Sequence, residues 1–339
     1  MMSKKYWEGR SAQREIESQL IASKYIARMD KALREAQQDI LQQIEVFYAK
    51  YAVENQVPIE LARKYLTAKE VQAFKETDLE RFRELSLSDN PRYKLLLNEI
   101  SYRTRISRLE GLNAQIEMRM IELYGGLNSL QQHTYSGLTE VYQSTYYHTM
   151  FDLAKQGVVS GAIDVLTDRT MKEILSYNWS GLEFSERIWG HQEQTLAAIR
   201  KELERSFATG RSIQRTTKAI MEVTDVSRSR AETLIRTETN FFHTNAAQQA
   251  YVEAGIDQYE ILATLDRRTS AICRGQDGQV YDEKDYEPGK TAPPFHPNCR
   301  TTTIPYFDEA EYMEGERRQS ANGLIQSMTY EEWYDKYVK

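Results

Sequence analysis

The stretch "CRGQDGQVYDEKDYEPGKTAPPFHPNCR", residues 273–300, separates two kinds of sequence in this chain. It holds both of the chain's 2 cysteines, Cys273 and Cys299, together with His296 and four of its 7 prolines. Because proline removes a backbone donor and clashes with the preceding helical turn, residues 288–305, which hold five of the 7 prolines, cannot be helical. Only two prolines precede residue 288, so most of residues 1–255 is free to be helical.

Apolar residues in the first part of the chain recur at helical spacing. Between residues 10 and 55 they fall three or four positions apart on one stripe: Ile26, Met29, Leu33, Ala36, Ile40, Ile44, Phe47 and Tyr51. This spacing predicts one long helix that lies along other helices. Further helices are predicted over about 92–124, over 130–156 and, in three pieces, over 185–254, with glycines at several of their ends.

The periodicity changes after Gly255. Residues 259–265 alternate in the manner of a half-buried strand, and 278–283 and 301–307 are the other strand candidates. The predicted fold class is therefore α+β and predominantly α. A long-helix N-terminal region comes first, then a helical block, then a small C-terminal β element.

Composition limits the classes of function. The chain has 339 residues and a formal net charge of −6, which argues against a protein that coats DNA through its overall charge. A local basic patch at 102–108, "YRTRISR", leaves DNA contact open, although the nearby glutamates favour a solvated helix face.

No part of the sequence predicts membrane insertion or export. No apolar run approaches the roughly 20 residues that a membrane-spanning helix needs, and the N-terminus lacks the apolar core of a signal peptide. Two cysteines in so long a chain do not make a disulfide framework. We therefore expect synthesis and assembly in a reducing cytoplasm.

Cys273, His296 and Cys299 form the candidate metal site. His296 and Cys299 have the spacing His-x-x-Cys in a turn, and Cys273 adds a third soft ligand from across the loop. Zinc usually takes four ligands, and Asp266, Asp277 or a water could supply the fourth. Two alternatives stay open, namely buried thiols beside a hydrogen-bonded His296 and a Cys273–Cys299 disulfide formed after the protein leaves the cytoplasm.

The search for a catalytic site finds only weak candidates. Arg236, Glu238 and His243 lie close together in sequence, but residues two apart on a helix diverge. We predict instead that Arg236 and Glu238 pair structurally with the neighbouring β element. The sequence lacks a glycine-rich phosphate loop and the zinc-deaminase pattern, so the protein is predicted not to be an enzyme.

As a set, several motifs resemble those of the phage Mu F-like minor head proteins, also called phage head morphogenesis proteins. The family pattern is Arg-Thr-Glu, Asp-x-Arg-Thr, a cysteine before Asp-Gly, and His-Pro-x-Cys-Arg. It occurs here in that order at 236–238, at 266–269, at Cys273 with 277–278, and at 296–300. The resembling segments are "FSERIW" (184–189), "LIRTETNFFHTNAAQQAYVEAGI" (234–256), "LDRRTSAICRGQDGQVY" (265–281) and "PPFHPNCRTTTIPYF" (293–307).

Many relatives of this kind carry further cysteines near these motifs. Ser270 and Thr301 occupy those positions here, which argues against a four-cysteine site. Cys273, His296 and Cys299 remain as the metal-ligand set, so a bound zinc would need a carboxylate or a water as well.

The resemblance implies a structural role in the virion. Proteins of this family are minor capsid components that associate with the portal, enter the procapsid during assembly and influence DNA packaging or ejection. It implies a location in the capsid interior near the portal, after assembly in the host cytoplasm. The portal protein is the first implied partner, and scaffold, major capsid protein and phage DNA are further candidates.

The same resemblance suggests a division of the chain. Residues 1–180 are predicted to be a helical portal-docking region, 181–307 a Mu F-like head-morphogenesis domain, and 308–339 an acidic C-terminal tail. Two alternatives to the structural role stay open. One is a metal-dependent enzyme that uses the C-terminal region, and the other is a DNA-binding ejection protein.

Overall fold

Helices make up most of the structure. It is a computed structural model that describes residues 3–54, 108–125, 129–159, 163–209, 213–264 and 266–307. The longer helices are α1 (Lys4–Glu54), α2 (Arg108–Gly125), α3 (Leu130–Lys155), α4 (Asp168–Leu175), α5 (Phe184–Thr209) and α6 (Ile213–Glu253). The C-terminal region adds β1 (Gln258–Leu262), α7 (Ala271–Gln276), β2 (Val280–Asp282), a 3-10 turn (Glu283–Asp285) and β3 (Thr302–Pro305). The predicted fold class, α+β and predominantly α, is confirmed.

The β element is one antiparallel sheet in the order β2-β1-β3. Tyr259 of β1 lies opposite Tyr281 of β2, and Ile261 lies opposite Thr303 of β3. All of β3 is buried, in keeping with its β-branched residues. β2 and β3 fall within their predicted segments, and β1 begins one residue before its predicted segment and ends three residues before that segment ends.

Several helix bounds differ from the prediction, since α1 begins at Lys4 rather than near residue 10 and α4 was not predicted. The sequence suggested a break near residue 225, but α6 runs unbroken from Ile213 to Glu253. No glycine or proline interrupts this span, and the Thr224 hydroxyl donates back to the Ile220 carbonyl at 3.1 Å within the helix. The predicted acidic tail at 308–339 and all but the last residue of the basic patch at 102–108 lie outside the described residues.

The chain divides into two compact units, each built from separated segments. The first takes its described residues from 1–27, 134–184 and 232–339, and the second from 28–133 and 185–231. In the second unit, the predicted stripe of α1 is buried at Met29, Leu33, Ala36, Ile40 and Ile44. The proposed boundaries at residues 180 and 307 stay a prediction.

The tyrosines of α3 belong to the core of the first unit. Tyr142, Tyr146 and Tyr147 are buried, and Tyr146 donates its hydroxyl hydrogen bond to Glu253 of α6. Rings enclosed in this way serve packing and are not available for stacking on a nucleotide. No helix in the described part of the chain is long and apolar enough to span a bilayer.

Replacing Gly137 with alanine is expected to destabilise the first unit by about 1–3 kcal/mol. A Cβ at this position in α3 would lie 2.9 Å from the ring of Tyr25, which is itself buried. Gly9→Ala is the matched control, because a Cβ there meets nothing within 4 Å. That exposed helical site should instead gain about 0.5–1 kcal/mol. Urea unfolding of both variants tests the contrast, and equal effects would contradict it.

Candidate metal centre

A turn and the short helix α7 that follows it position Cys273. The turn begins at Asp266, whose carboxylate accepts a hydrogen bond from the backbone N–H of Arg268 at 2.7 Å. Ser270 then caps α7 by accepting from the Cys273 N–H at 3.1 Å. The Cys273 side chain is buried with Ala263 and Cys299, and Phe295 packs against them.

A tight turn anchored to α6 places the other two residues. Asn298 has a left-handed backbone, with φ of 59°, which lets the N–H of Cys299 reach the carbonyl of His296 at 3.2 Å. The Asn298 N–H donates to the hydroxyl of Thr237 at 3.0 Å, so α6 fixes the turn. His296 and Cys299 thereby face the same point as Cys273.

The three predicted ligands, Cys273, His296 and Cys299, lie close together. The sulfur of Cys273 lies 3.1 Å from Nε2 of His296 and 3.7 Å from the sulfur of Cys299. All three candidate ligand atoms lie within 4.8 Å of one another. In a tetrahedral site with Zn–S bonds of about 2.3 Å, two sulfurs are about 3.8 Å apart, close to the observed separation.

Hydrogen bonds set the protonation of this cluster. Nδ1 of His296 lies 2.8 Å from the Pro297 carbonyl, which only accepts, so Nδ1 carries a proton and Nε2 is the nitrogen that faces the Cys273 sulfur. The hydrogen bond from Cys299 lowers the pKa of Cys273 to about 4, and Ser270, Thr301 and His296 add to this. The same contact and burial raise the pKa of Cys299. One proton therefore leaves the thiol pair readily, as metal binding requires.

Neither aspartate proposed as a fourth ligand joins the cluster. Asp266 is held by Arg300 at 2.8 Å, a contact that lowers the pKa of its carboxyl group. Asp277 accepts from the Ala263 N–H at 2.8 Å. Among the described residues, the cluster that could hold a metal consists of Cys273, His296 and Cys299 alone. The Arg300 side chain and the Ala263 N–H therefore hold these two carboxylates, and of the three candidates for the fourth ligand a water remains.

Two hydroxyls lie where relatives carry cysteines. The Ser270 hydroxyl accepts from the Cys273 N–H at 3.1 Å, and the side chains of Ser270 and Thr301 both help to lower the pKa of the Cys273 thiol. Two positions separated by 31 residues in sequence therefore act on one thiol. Cys273 and Cys299 are free thiols here, and their sulfurs are farther apart than the roughly 2.05 Å of a disulfide bond.

The three residues weighed for acid–base chemistry lie apart from this cluster and have other partners. Arg236 donates to Glu232 at 2.9 Å and to Gln19 at 3.2 Å, and buried Glu238 accepts from the indole N–H of Trp179 at 3.0 Å. For Arg236 the predicted pairing with the β element is therefore wrong, since both of its partners lie on helices.

His243 and Asn240 make the contacts to the β element instead. Nε2 of His243 lies 3.1 Å from the Thr302 hydroxyl, and the Asn240 amide donates to the Thr301 carbonyl at 2.8 Å. Burial, assisted by the charge of Arg14, lowers the pKa of His243 to about 3. The imidazole is thus a neutral packing residue at physiological pH.

Sequence reasoning missed a buried ionic cluster in the first unit, the Asp152 cluster of Tyr6, Arg10, Arg14 and Asp152. The Asp152 carboxylate accepts from Tyr6 and Arg10, each at 3.0 Å, and from buried Arg14. Arg10 and Arg14 are four residues apart and so share a face of α1, which was the one available signal. A single aspartate in the middle of α3 carries no comparable pattern.

Comparison with known families identifies one match. The family model described as Phage Mu protein F like protein matches residues 197–304, about a third of the chain. The match spans all of the motif positions from 236 to 300, so the resemblance that these motifs predicted is confirmed there. The predicted flanks at 184–196 and 305–307 lie outside it. No curated protein and no solved structure matches the chain.

Proposed function

We propose, from the match of residues 197–304 to the Phage Mu protein F like family, that this chain is a structural minor head protein of a tailed phage. In this role it joins the procapsid through the portal and influences DNA packaging or ejection. Its place is the capsid interior near the portal, after assembly in the host cytoplasm. The family match is the observation that carries the proposal, and the ordered series of motifs from 236 to 300 supports it.

The portal is the proposed first partner, and residues 1–180 carry the proposed contact. Helices dominate the described residues of this part, and helical proteins dock through exposed apolar residues on a helix face. Ile16 and Leu20, one turn apart on α1, are 57% and 64% exposed. Scaffold, major capsid protein and phage DNA are further proposed partners.

We also propose that Cys273, His296 and Cys299 hold a zinc ion. The arrangement fits this metal, because two thiol sulfurs and an imidazole nitrogen converge at separations suited to tetrahedral coordination. Zinc would supply a cross-link between α7 and the turn at 296–299, with a water in the fourth position. Small β elements with little core of their own gain stability from such a link.

The portal proposal is tested by coexpression of the full chain with the portal protein of the same genome. We expect the two proteins to copurify. Ile16→Asp combined with Leu20→Asp should reduce the copurified portal at least tenfold, because burying either carboxylate in an interface is costly. Absence of copurification by the unaltered chain would overturn the portal assignment.

Val252→Asp is the matched control, since Val252 is 45% exposed but lies on α6, outside residues 1–180. It should copurify as the unaltered chain does, and an equal loss would contradict the assignment of the contact. Point substitutions are preferable to deletion of residues 1–180. Deletion would remove buried residues of the first unit, such as Trp7 and Val141, along with the proposed contact.

A further inference from the structure

The first unit contains a small, partly open cavity with no assigned occupant. Its volume is about 20 Å³. The lining comes from the start of α1, from α3, from α6 and from β3, and includes Trp7, Arg14, Thr149, His243 and Thr302. A site needs roughly 10–15 Å³ by this measure to hold one water, so the cavity has room for one occupant of about that size.

Two donors on residues that line the cavity have no hydrogen-bond partner among the described residues. They are Nη1 of Arg14 and the indole Nε1 of Trp7. Arg14 is 7% exposed and Trp7 is 3% exposed, so neither donor is compensated by bulk solvent. A buried donor without a partner costs about 1–3 kcal/mol, more when it is charged. An occupant that accepts from both would remove this cost.

The charge around the cavity is positive. Among the described residues, Asp152 is the one acid in ion-pair contact with Arg10 and Arg14, so one carboxylate is shared by two guanidinium groups. His243 adds no charge of its own, because burial lowers its pKa to about 3. The same burial lowers the pKa of Arg14, as expected for a cation that lacks full compensation.

The nearby glutamates make no ion pair with these arginines. The Glu17 carboxylate accepts from the side-chain amide of Gln13 at 2.8 Å, and its charge is the smallest of the contributions that favour charged Arg10 and Arg14. Burial raises the pKa of Glu15 to about 7. Neither glutamate lines the cavity.

We propose that this cavity binds one small monovalent anion of the size of chloride, held by Nη1 of Arg14 and Nε1 of Trp7. Such an ion accepts from both donors and neutralises the excess charge, whereas water accepts but leaves the charge in place. The hydroxyls of Thr149 and Thr302, which also line the cavity, can turn their hydrogens toward it. Through the hydroxyls of Thr149 and Thr302 the ion would link α1 to α3 and β3, and so contribute to folding of the first unit.

The test is urea unfolding of the full chain at constant ionic strength, with sodium chloride progressively replacing sodium gluconate, whose anion is too large for the cavity. Above the dissociation constant, each tenfold rise in chloride should lower the unfolding equilibrium constant by up to tenfold. If chloride and gluconate give the same stability, water is the occupant and the proposal is overturned.

Trp7→Phe tests whether the chloride dependence arises at this cavity, since the substitution keeps an aromatic ring but removes the indole donor. We expect this variant to lose most of the chloride dependence. Trp189→Phe is the matched control, because that indole donates to Gln131 at 3.1 Å in the second unit, and it should keep the full dependence. Chloride dependence that survives Trp7→Phe unchanged would place the ion elsewhere and overturn the assignment.

Bromide provides a measurement that does not depend on folding energetics. In crystals of the full chain grown with bromide, we expect an anomalous peak within hydrogen-bond distance of Arg14 Nη1 and Trp7 Nε1. A cavity without such a peak would refute the proposal.

Discussion

Asp152→Asn is expected to lower the free energy of unfolding by about 3–5 kcal/mol, the usual consequence of removing one partner of a buried ion pair. Asp152 is 1% exposed and is the shared acceptor for Tyr6, Arg10 and Arg14. Asparagine has nearly the same shape but no charge, so the variant leaves buried Arg14 without a counter-ion. Urea unfolding of the full chain measures the loss.

Glu173→Gln is the matched control for this prediction. Glu173 also pairs with an arginine, Arg169, but the two side chains are 68% and 90% exposed. An exposed pair of this kind contributes about 0–1 kcal/mol, so the control should change stability little. A loss below 1 kcal/mol for Asp152→Asn would show that Arg14 does not depend on this carboxylate.

Cys273→Ser is expected to weaken zinc binding by more than about 100-fold, since losing an outer-shell partner alone costs 10–100-fold. The substitution keeps the size of the side chain but replaces the thiolate that lies 3.1 Å from His296 Nε2. Competition with a chromophoric chelator, carried out on the reduced full chain, gives the affinity. If the unaltered chain binds zinc no more tightly than Cys273→Ser, the cysteines are buried thiols and the zinc proposal fails.

Two further sets of variants sharpen this test. Asp266→Asn and Asp277→Asn should leave zinc affinity within a few-fold, because their carboxylates bind Arg300 and the Ala263 N–H instead. Ser270→Cys together with Thr301→Cys should raise the affinity, because both side chains contact Cys273 and would add thiolates around the same point. Unchanged affinity in this double variant would mean that the metal does not sit at this sulfur.

Much of the fold could be predicted because local signals agreed with one another. The apolar stripe of α1 predicted a helix and its buried face, and Ile40 and Ile44 are indeed fully buried. The concentration of prolines after residue 288 predicted the non-helical C-terminal segment. The predicted helix break near residue 225 was wrong, since the Thr224 hydroxyl bonds within the helix where polar residues had suggested a break.

The candidate metal centre was predictable in part. Only 2 cysteines and a nearby histidine were available as soft ligands, so sequence alone named the set. The sequence could not identify the fourth ligand, because that depends on which groups already bind the carboxylates of Asp266 and Asp277. It also could not show that Ser270 and Thr301 flank the same sulfur, since that depends on how β3 and α7 approach each other.

The sequence by itself determined three things: the class of fold, the motif set between 236 and 300, and which two thiols and imidazole cluster. Each of these rests on local periodicity or on residue type. Only the tertiary structure decided which polar groups are buried together. Arg14 and Asp152, 138 residues apart, form a buried ion pair. The neutral state of His243 likewise follows from burial. Burial depends on contacts between distant segments, and no local pattern in the chain encodes those contacts.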